Sequence, residues 1–399
     1  MNRAILHLDL DTFYVSVERL INTSLTKKPI LIGGTSDRSV IAACSYETRA
    51  YGVHAGMPMK IARELCPEAI IIKGDTTTYT KYSEVVTQII KEQVPVLEKS
   101  SIDEFYADLS GMDRFFGVYK YAMELRKKVI KETGLPISFG LSGNKVVSKI
   151  AANEGKPNSK SKIDIGQEKL FLAPLSVKKI PMVGDQTYHT LRNFGIRYIK
   201  TLQEMPVEML KGVLGKNGII IWKRANGIDN TPVVAFSDRK SISTERTFDK
   251  DTIDIYKLRS ILIAMTENLA YQLRKDNKLT ACIAVKIRYS DFNTHTKQIK
   301  IPYTSADHIL IPKILELFHK LHQKRLLVRL IGIRYSHIVG GNYQISLFDD
   351  NEKQLRLYKA LDHIKNLYGE RSVIRATTID TKHHNKNHNV VGNSFSLKK

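Results

Sequence analysis

Two rhythms of apolar residues alternate from residue 1 to 172, and the alternation predicts strands and helices in turn. Ala4 to Leu10 is a short apolar run with acids at its end, and Phe13 to Ile21 repeats its apolar residues at helical spacing, so strand then helix opens the chain. Val40 to Cys44 reads as another strand, Ser45 to Tyr51 as a helical turn closed by Gly52, and Thr78 to Val94 as an amphipathic helix. Ile102 to Leu109 returns as a strand. Asp113 to Thr133 follows as a long basic-faced helix stopped by Gly134, then Ile137 to Ser142 as a strand feeding a helix over Lys145 to Asn153. This succession describes an α/β domain on a small sheet.

From Leu175 to Asp229 the pattern changes to short helices punctuated by glycine, a small helical module. Pro232 to Thr244 is a polar, basic connector. Helices at Ile255 to Arg274 and Ile309 to His322, with strands at Ala281 to Tyr289, Thr296 to Ile301 and Leu327 to Ser336, make a second domain of α+β type. Beyond Gly340-Gly341 lies a polar tail with one more helix, Glu352 to Leu367, and a stretch rich in His and Asn, His383 to His388, expected to be solvated.

A chain of 399 residues with 42% hydrophobic content supports two or three separate cores. No run of 18 apolar residues is free of charge, and an acid stands where a signal peptide would be apolar, so a cytoplasmic protein without membrane contact is expected. Cys44, Cys66 and Cys282 are odd in number and far apart, which excludes a disulfide framework or a zinc ribbon and leaves them as packing residues. The net charge of +22 and pI near 9.7 point to nucleic acid as the counter-charge. Residues 238–340 carry 19 basic and 10 acidic side chains, an excess equal to that of residues 1–237 (33 against 24) in under half the length. The later segment is the denser basic surface.

Two acidic clusters stand at strand ends, Asp9 with Asp11 and Asp103 with Glu104. Acids embedded in apolar strands are poorly explained as solvated surface, and two such clusters suggest one metal site. Hard cations such as Mg²⁺ take oxygen ligands, and phosphoryl transfer with paired ions needs such a clamp. Neighbours on a regular strand face opposite ways, so the chain must turn or bulge between Asp103 and Glu104. Asp11 reads as a helix N-cap. Tyr46 and Arg49, three apart on a helical turn, and Lys156 in Gly155-Lys156-Pro157-Asn158 suit a triphosphate, because arginine grips phosphate oxygens in pairs and lysine adds a point charge.

Leu8 to Tyr14, Ser45 to Val53, Ser100 to Glu104 and Lys145 to Pro157 resemble, in order and spacing, the signature motifs of the Y-family translesion DNA polymerases, nearest to the bacterial DNA polymerase IV group. The resemblance runs from about residue 3 to 340. It implies a right-hand architecture: a palm over 1–172 with fingers inserted at about 20–76, a helix-hairpin-helix thumb over 173–232, a linker over 233–240, a little finger over 241–340 and a tail over 341–399. It implies Asp9, Asp103 and Glu104 as ligands of two Mg²⁺ ions, Mn²⁺ being an acceptable substitute, with the Leu10 carbonyl as an extra ligand. Glu104 would also help activate the primer 3′-hydroxyl. Tyr14 matches the steric gate against ribose, while Tyr46, Arg49 and Lys156 match the triphosphate contacts. Gly184, Gly215 and Gly218 fall in the elements that hold DNA phosphates.

Partners implied are primer-template DNA, a dNTP and the sliding clamp. Gln344, Leu347 and Phe348 within residues 344–348 resemble the clamp-binding pentapeptide, and a monomer is expected. The implied function is low-fidelity synthesis past damaged bases, without proofreading, since the matched segments occupy nearly all the chain to residue 340. Ala43 departs from the pattern, standing where many relatives have a hydroxyl that contacts the triphosphate; Ser45 is the nearest substitute. The tail around Tyr358 to Asp362 is similar instead to the catalytic subunit of polymerase V. Two further classes share features: nucleotide cyclases use the same paired carboxylates but need no helix-hairpin-helix module, and a non-catalytic DNA-binding scaffold would lack the metal ligands.

Overall fold

The computed structural model describes residues 3–112, 117–235, 238–341 and 351–379, in two compact units divided at Ser237. The first unit runs β1 (Ile5–Leu10), α1 (Phe13–Ile21), β2 (Ile30–Gly33), β3 (Ile41–Cys44), α2 (Tyr46–Arg49), α3 (Met59–Leu65), β4 (Ile70–Ile72), α4 (Thr76–Lys91), β5 (Val96–Lys99) and β6 (Glu104–Asp108). It continues with α5 (Val118–Thr133), β7 (Ile137–Ser142), α6 (Lys145–Glu154), β8 (Lys160–Lys162), α7 (Glu168–Leu172), α8 (Asp185–Asn193), α9 (Ile199–Glu204), α10 (Val207–Leu214) and α11 (Lys216–Ala225).

Five strands form the central sheet in the order β5-β6-β1-β7-β8, with β1 antiparallel to both neighbours. Every residue of β1 is buried, because both faces are covered. Leu6, Leu8 and Leu10 point into a core shared with Phe105, Phe139 and the apolar faces of α1, α4 and α5. By the two-residue period of a strand, Ile5, His7 and Asp9 turn to the opposite face. There α6 lies close against the sheet: a Cβ added to Gly140, the β7 partner of His7, would sit 2.1 Å from the carbonyl oxygen of Ser148. Only glycine permits that approach.

A three-stranded sheet in the order β3-β2-β4 has its own small core around Leu31, Ile41, Met59 and Ala62. The helices α8 to α11 gather around Leu191, Ile199, Leu202, Leu210 and Ile221, with Val147 and Ile150 of α6 in the same cluster.

The second unit comprises β9 (Ser241–Thr252), α12 (Ile255–Lys275), β10 (Lys278–Tyr289), β11 (Thr294–Thr304), α13 (Asp307–Leu321), β12 (Val328–Gly340) and α14 (Asn351–Tyr368). Its antiparallel sheet, ordered β11-β10-β12-β9, packs one face on α12 and α13 through Leu258, Leu262, Ile283, Val285, Ile314 and Ile333. Edge strand β11 exposes Lys297 and Lys300. The tail helix α14 is anchored by Arg274, whose Nε and Nη2 donate to Asp362 at 2.7 and 2.9 Å while Nη1 donates to Asp307 at 2.9 Å.

The long elements fall where periodicity places them, with three differences. The helix expected from Asp113 begins at Val118, after Gly117 at φ 69°; residues 113–116 lie outside the described residues. The connector expected to Thr244 is already strand from Ser241, and its polar run reflects an edge position, paired only to β12. The strands β2, β4, β5 and β8, three or four residues each, were not read from the sequence, whereas β3, equally short, was. The three cysteines are buried and unpaired, as expected. Among the described residues no helix is long and apolar enough to cross a membrane. Gln344, Leu347, Phe348 and the stretch His383 to His388 lie outside the described residues.

Candidate active site

Asp9 and Glu104 are direct partners across the β1–β6 ladder, so their side chains share the face under α6. Asp103 precedes β6, in the bend where Ser101 Oγ donates to Asp103 Oδ1 at 2.5 Å and accepts from the Glu104 amide at 3.0 Å. The turn required by strand geometry is this bend, and the Leu10 amide fastens it by donating to the Asp103 carbonyl at 3.0 Å. Only Glu104 of the adjacent acids belongs to the strand, and the charges of both act on Asp9.

Each strand carboxylate meets a lysine: Lys156 Nζ lies 2.6 Å from Asp9 Oδ1, and Lys149 Nζ lies 2.6 Å from Glu104 Oε2. Burial pushes Asp9 up to about 7; the Lys156 ammonium opposes that rise, and the charges of Asp103 and Glu104 add to it. Asp103 is raised as well, by burial first, against the hydrogen bond from Ser101 and with the help of Glu104. Three crowded carboxylates of this kind form an oxygen donor set that a divalent cation relieves, so the residues fit a hard metal ion.

Sequence reasoning missed two members of the site. Lys149 follows Lys145 by one helical turn, and both reach acids, Lys145 meeting Glu98 at 2.7 Å; that four-residue spacing was the available signal. His7 precedes Asp9 by two, the spacing that puts both on one strand face. Its ring nitrogens are buried without a hydrogen-bond partner, and candidate ligand atoms of His7, Asp9 and Glu104 lie within 4.8 Å of one another. Burial first, then Lys149 and Lys156, holds His7 well below the ordinary histidine value, so it is neutral.

Tyr14, on the first turn of α1, stacks on Tyr79 with ring centres 4.3 Å apart and planes 15° from parallel. Burial raises its pKa, and the charge of Asp103 adds to that rise. Tyr46 and Arg49 share a face of α2, the guanidinium 4.8 Å above the Tyr46 ring. The Tyr46 hydroxyl is buried without a hydrogen bond of good geometry; burial, then the nearby charge of Asp11, pushes it up to about 12.

Two expectations are corrected. Asp11 is not the N-cap of α1: Thr12 holds that position at φ 43° without a side-chain cap bond, and the Asp11 carboxylate turns inward to Ser138 and Asn158. Ser45 does not replace the hydroxyl missing at Ala43, because it is fully buried and its Oγ accepts from the amides of Ile30 at 3.1 Å and Thr48 at 3.4 Å.

The three glycines of the helical module differ from one another. Gly184 caps α8 with open space where a Cβ would stand, and Gly215 joins α10 to α11 at φ 62°, a left-handed value that favours glycine. Gly218 is buried instead, and a Cβ there would meet the Leu210 carbonyl oxygen at 2.2 Å, so it is a packing glycine between α10 and α11.

Residues 8–153 match the impB/mucB/samB family and residues 239–347 match that family's C-terminal domain. The chain is 35% identical to a DNA polymerase IV of Dehalococcoides mccartyi over 384 residues, covering 95% of this chain and 98% of the relative. It is 32% identical to a DNA polymerase IV of Desulfatibacillum aliphaticivorans over 392 residues, covering 96% and 98%. A solved Y-family DNA polymerase chimera superposes with a TM-score of 0.76 at 26% identity, over 85% of this chain and 100% of that one. Sequence motifs, paired acids and fold agree, and the chain belongs to the impB/mucB/samB family of Y-family DNA polymerases.

Proposed function

We propose that this chain is a template-directed DNA polymerase that adds dNTPs to a primer 3′-hydroxyl, copies damaged bases at low fidelity and does not proofread. The observation that carries this reading is the pairing of Asp9 and Glu104 across β1 and β6, with Asp103 in the adjoining bend close enough for its charge to act on Asp9. Asp9, Asp103, Glu104 and the Leu10 carbonyl would hold two ions, Mg²⁺ or Mn²⁺, which when bound stabilise the charge developing on the attacking and leaving oxygens. Glu104 would help to take the proton of the primer hydroxyl once freed from Lys149. Lys156, paired with Asp9, would supply a cation to a triphosphate bound there, and Tyr46 and Arg49 would contribute a hydroxyl and a fork of N–H donors. Tyr14 lies beneath the sugar and excludes a 2′-hydroxyl.

The first unit divides, on this reading, into a palm over 1–172 with fingers at about 20–76 and a thumb over 173–232. After a linker at 233–240 comes the little finger, 241–340, whose charge excess suits duplex DNA. Gly184, at the start of α8, would offer its backbone amide to a phosphate; the Gly215 amide is taken by the Lys211 carbonyl at 2.9 Å, so Gly215 serves by turning the chain into α11, and Gly218 sets the spacing of α10 and α11. The enzyme works as a monomer in the cytoplasm. Primer extension with Mg²⁺ and one dNTP at a time, on four templates differing in the first unpaired base, tests the proposal. Extension only with the complementary nucleotide supports it, whereas binding without extension favours a scaffold.

Residues 344–348 are proposed to bind the sliding clamp, Gln344 through hydrogen bonds and Leu347-Phe348 as an apolar anchor. Electrostatic DNA contacts weaken with salt, and a tether to a ring on DNA raises the local concentration at the primer end. Leu347→Ala with Phe348→Ala should abolish clamp stimulation of long products and leave clamp-free extension unaltered. Stimulation that survives the double change refutes the tether.

A further inference from the structure

Asp11 stands two residues past Asp9 and is just 1% exposed, yet it takes no part in the carboxylate cluster. Its two oxygens accept from Ser138 Oγ at 2.8 and 2.9 Å, and Oδ2 also accepts from the Asn158 amide at 2.9 Å. Ser138 Oγ accepts in turn from the Ser159 amide at 2.9 Å. From the other side Arg126, itself 8% exposed, donates through Nη2 to Asn158 Oδ1 at 3.0 Å and through Nε to the Ile137 carbonyl at 2.8 Å. Asn158 is thus held through its amide and its side chain, at a backbone φ of 62° that few residues other than glycine and asparagine adopt readily.

The segment so fixed begins two residues after Lys156. A lysine side chain is long and flexible, and an exposed one spends conformational freedom whenever it grips a ligand. Fastening the adjacent backbone to β1 and β7 reduces that freedom before the nucleotide arrives, which is how buried polar networks preorganise a site. Ser138 and Asn158 hold both oxygens of Asp11, whose charge also reaches the Tyr46 hydroxyl.

We infer that Asp11 is a positioning residue which, through Asn158 and together with Arg126, presets Lys156 for the triphosphate of the incoming nucleotide. This rests on the reading of Lys156 as a triphosphate contact. Asp11 acts on nucleotide binding and not on the chemical step, so its loss is read in KM for the dNTP; Asp11→Asn keeps a side chain beside Tyr46, so the part of the effect that runs through Lys156 vanishes when that lysine is absent.

Steady-state single-nucleotide insertion is measured for Asp11→Asn, Lys156→Ala, the double variant and Asn158→Gly, with thermal unfolding alongside. Asn158→Gly deletes the Arg126 contact while keeping the amide and the left-handed backbone, so it carries the test if Asp11→Asn does not fold. Lys156→Ala should raise the dNTP KM about tenfold or more, and Asp11→Asn about fivefold with kcat nearly kept. Asn158→Gly should raise KM about twofold to threefold. The double variant should match Lys156→Ala alone, the non-additivity expected of residues acting through one group. An Asp11→Asn effect that multiplies with Lys156→Ala, or that falls on kcat alone, overturns the inference. An unchanged KM in Lys156→Ala overturns the reading beneath it, which the single variant reports separately.

Discussion

Tyr14 lies flat on Tyr79, so truncating it removes a wall of the site and leaves a second ring to hold the space open. Tyr14→Ala should lower the discrimination between dNTP and rNTP by about tenfold or more in single-nucleotide insertion, since shape is what rejects the extra hydroxyl. An unchanged preference would make Tyr14 a packing partner of Tyr79 and nothing else. Asp9 supports a second expectation. Burial holds its proton up to about 7, above the ordinary 3.8, and a cation takes only the ionised carboxylate. Apparent Mn²⁺ affinity should therefore be flat at alkaline pH and fall by up to about tenfold per unit below 7, as measured by metal titration at fixed DNA. In the metal-free protein the sign for stability follows: the folded state binds the proton more tightly, so this group's contribution declines as pH rises from 3.8 to about 7. Metal affinity independent of pH between 8 and 6 would contradict the assignment. The neighbourhood of Asp9 and Glu104 was legible because acids at the ends of apolar strands stand out. The true partner of Asp11 was not, because Asn158 lies 147 residues away and nothing local marks the contact.

Among the elements, α6 is the one that delivers Lys149 to Glu104, and Gly140 is what lets it lie so close to β7. Gly140→Ala must push the Ser148 carbonyl away from its 2.1 Å approach, at a cost of about 1–3 kcal/mol for overpacking. The urea midpoint should fall and nucleotide insertion with it, because the displaced helix carries Lys149. Unchanged stability and activity would show that α6 tolerates the shift. Phe13–Ile21 was readable because its nine residues span more than two helical turns with one buried face, and Ile137–Ser142 because a wholly buried strand reads as an apolar run. Strand β9 was misread for the opposite reason, since an edge strand with charged and hydroxyl residues has the pattern of a connector.

Over the whole molecule, the proposed function assigns the holding of DNA to the charge excess of residues 238–340 and the addition of nucleotides to the acid-lined sheet of the first unit. The counts of charge and the acids at strand ends were visible in the sequence, whereas the pairing of Asp9 and Glu104 with lysines needed the fold. That assignment also sets the decisive comparison. Asp103→Ala and the unaltered protein are measured on one primer-template, for DNA affinity and for single-nucleotide insertion with Mg²⁺. DNA contacts made by basic surfaces leave affinity nearly intact in the variant, while insertion is lost. Normal insertion by Asp103→Ala would contradict the account.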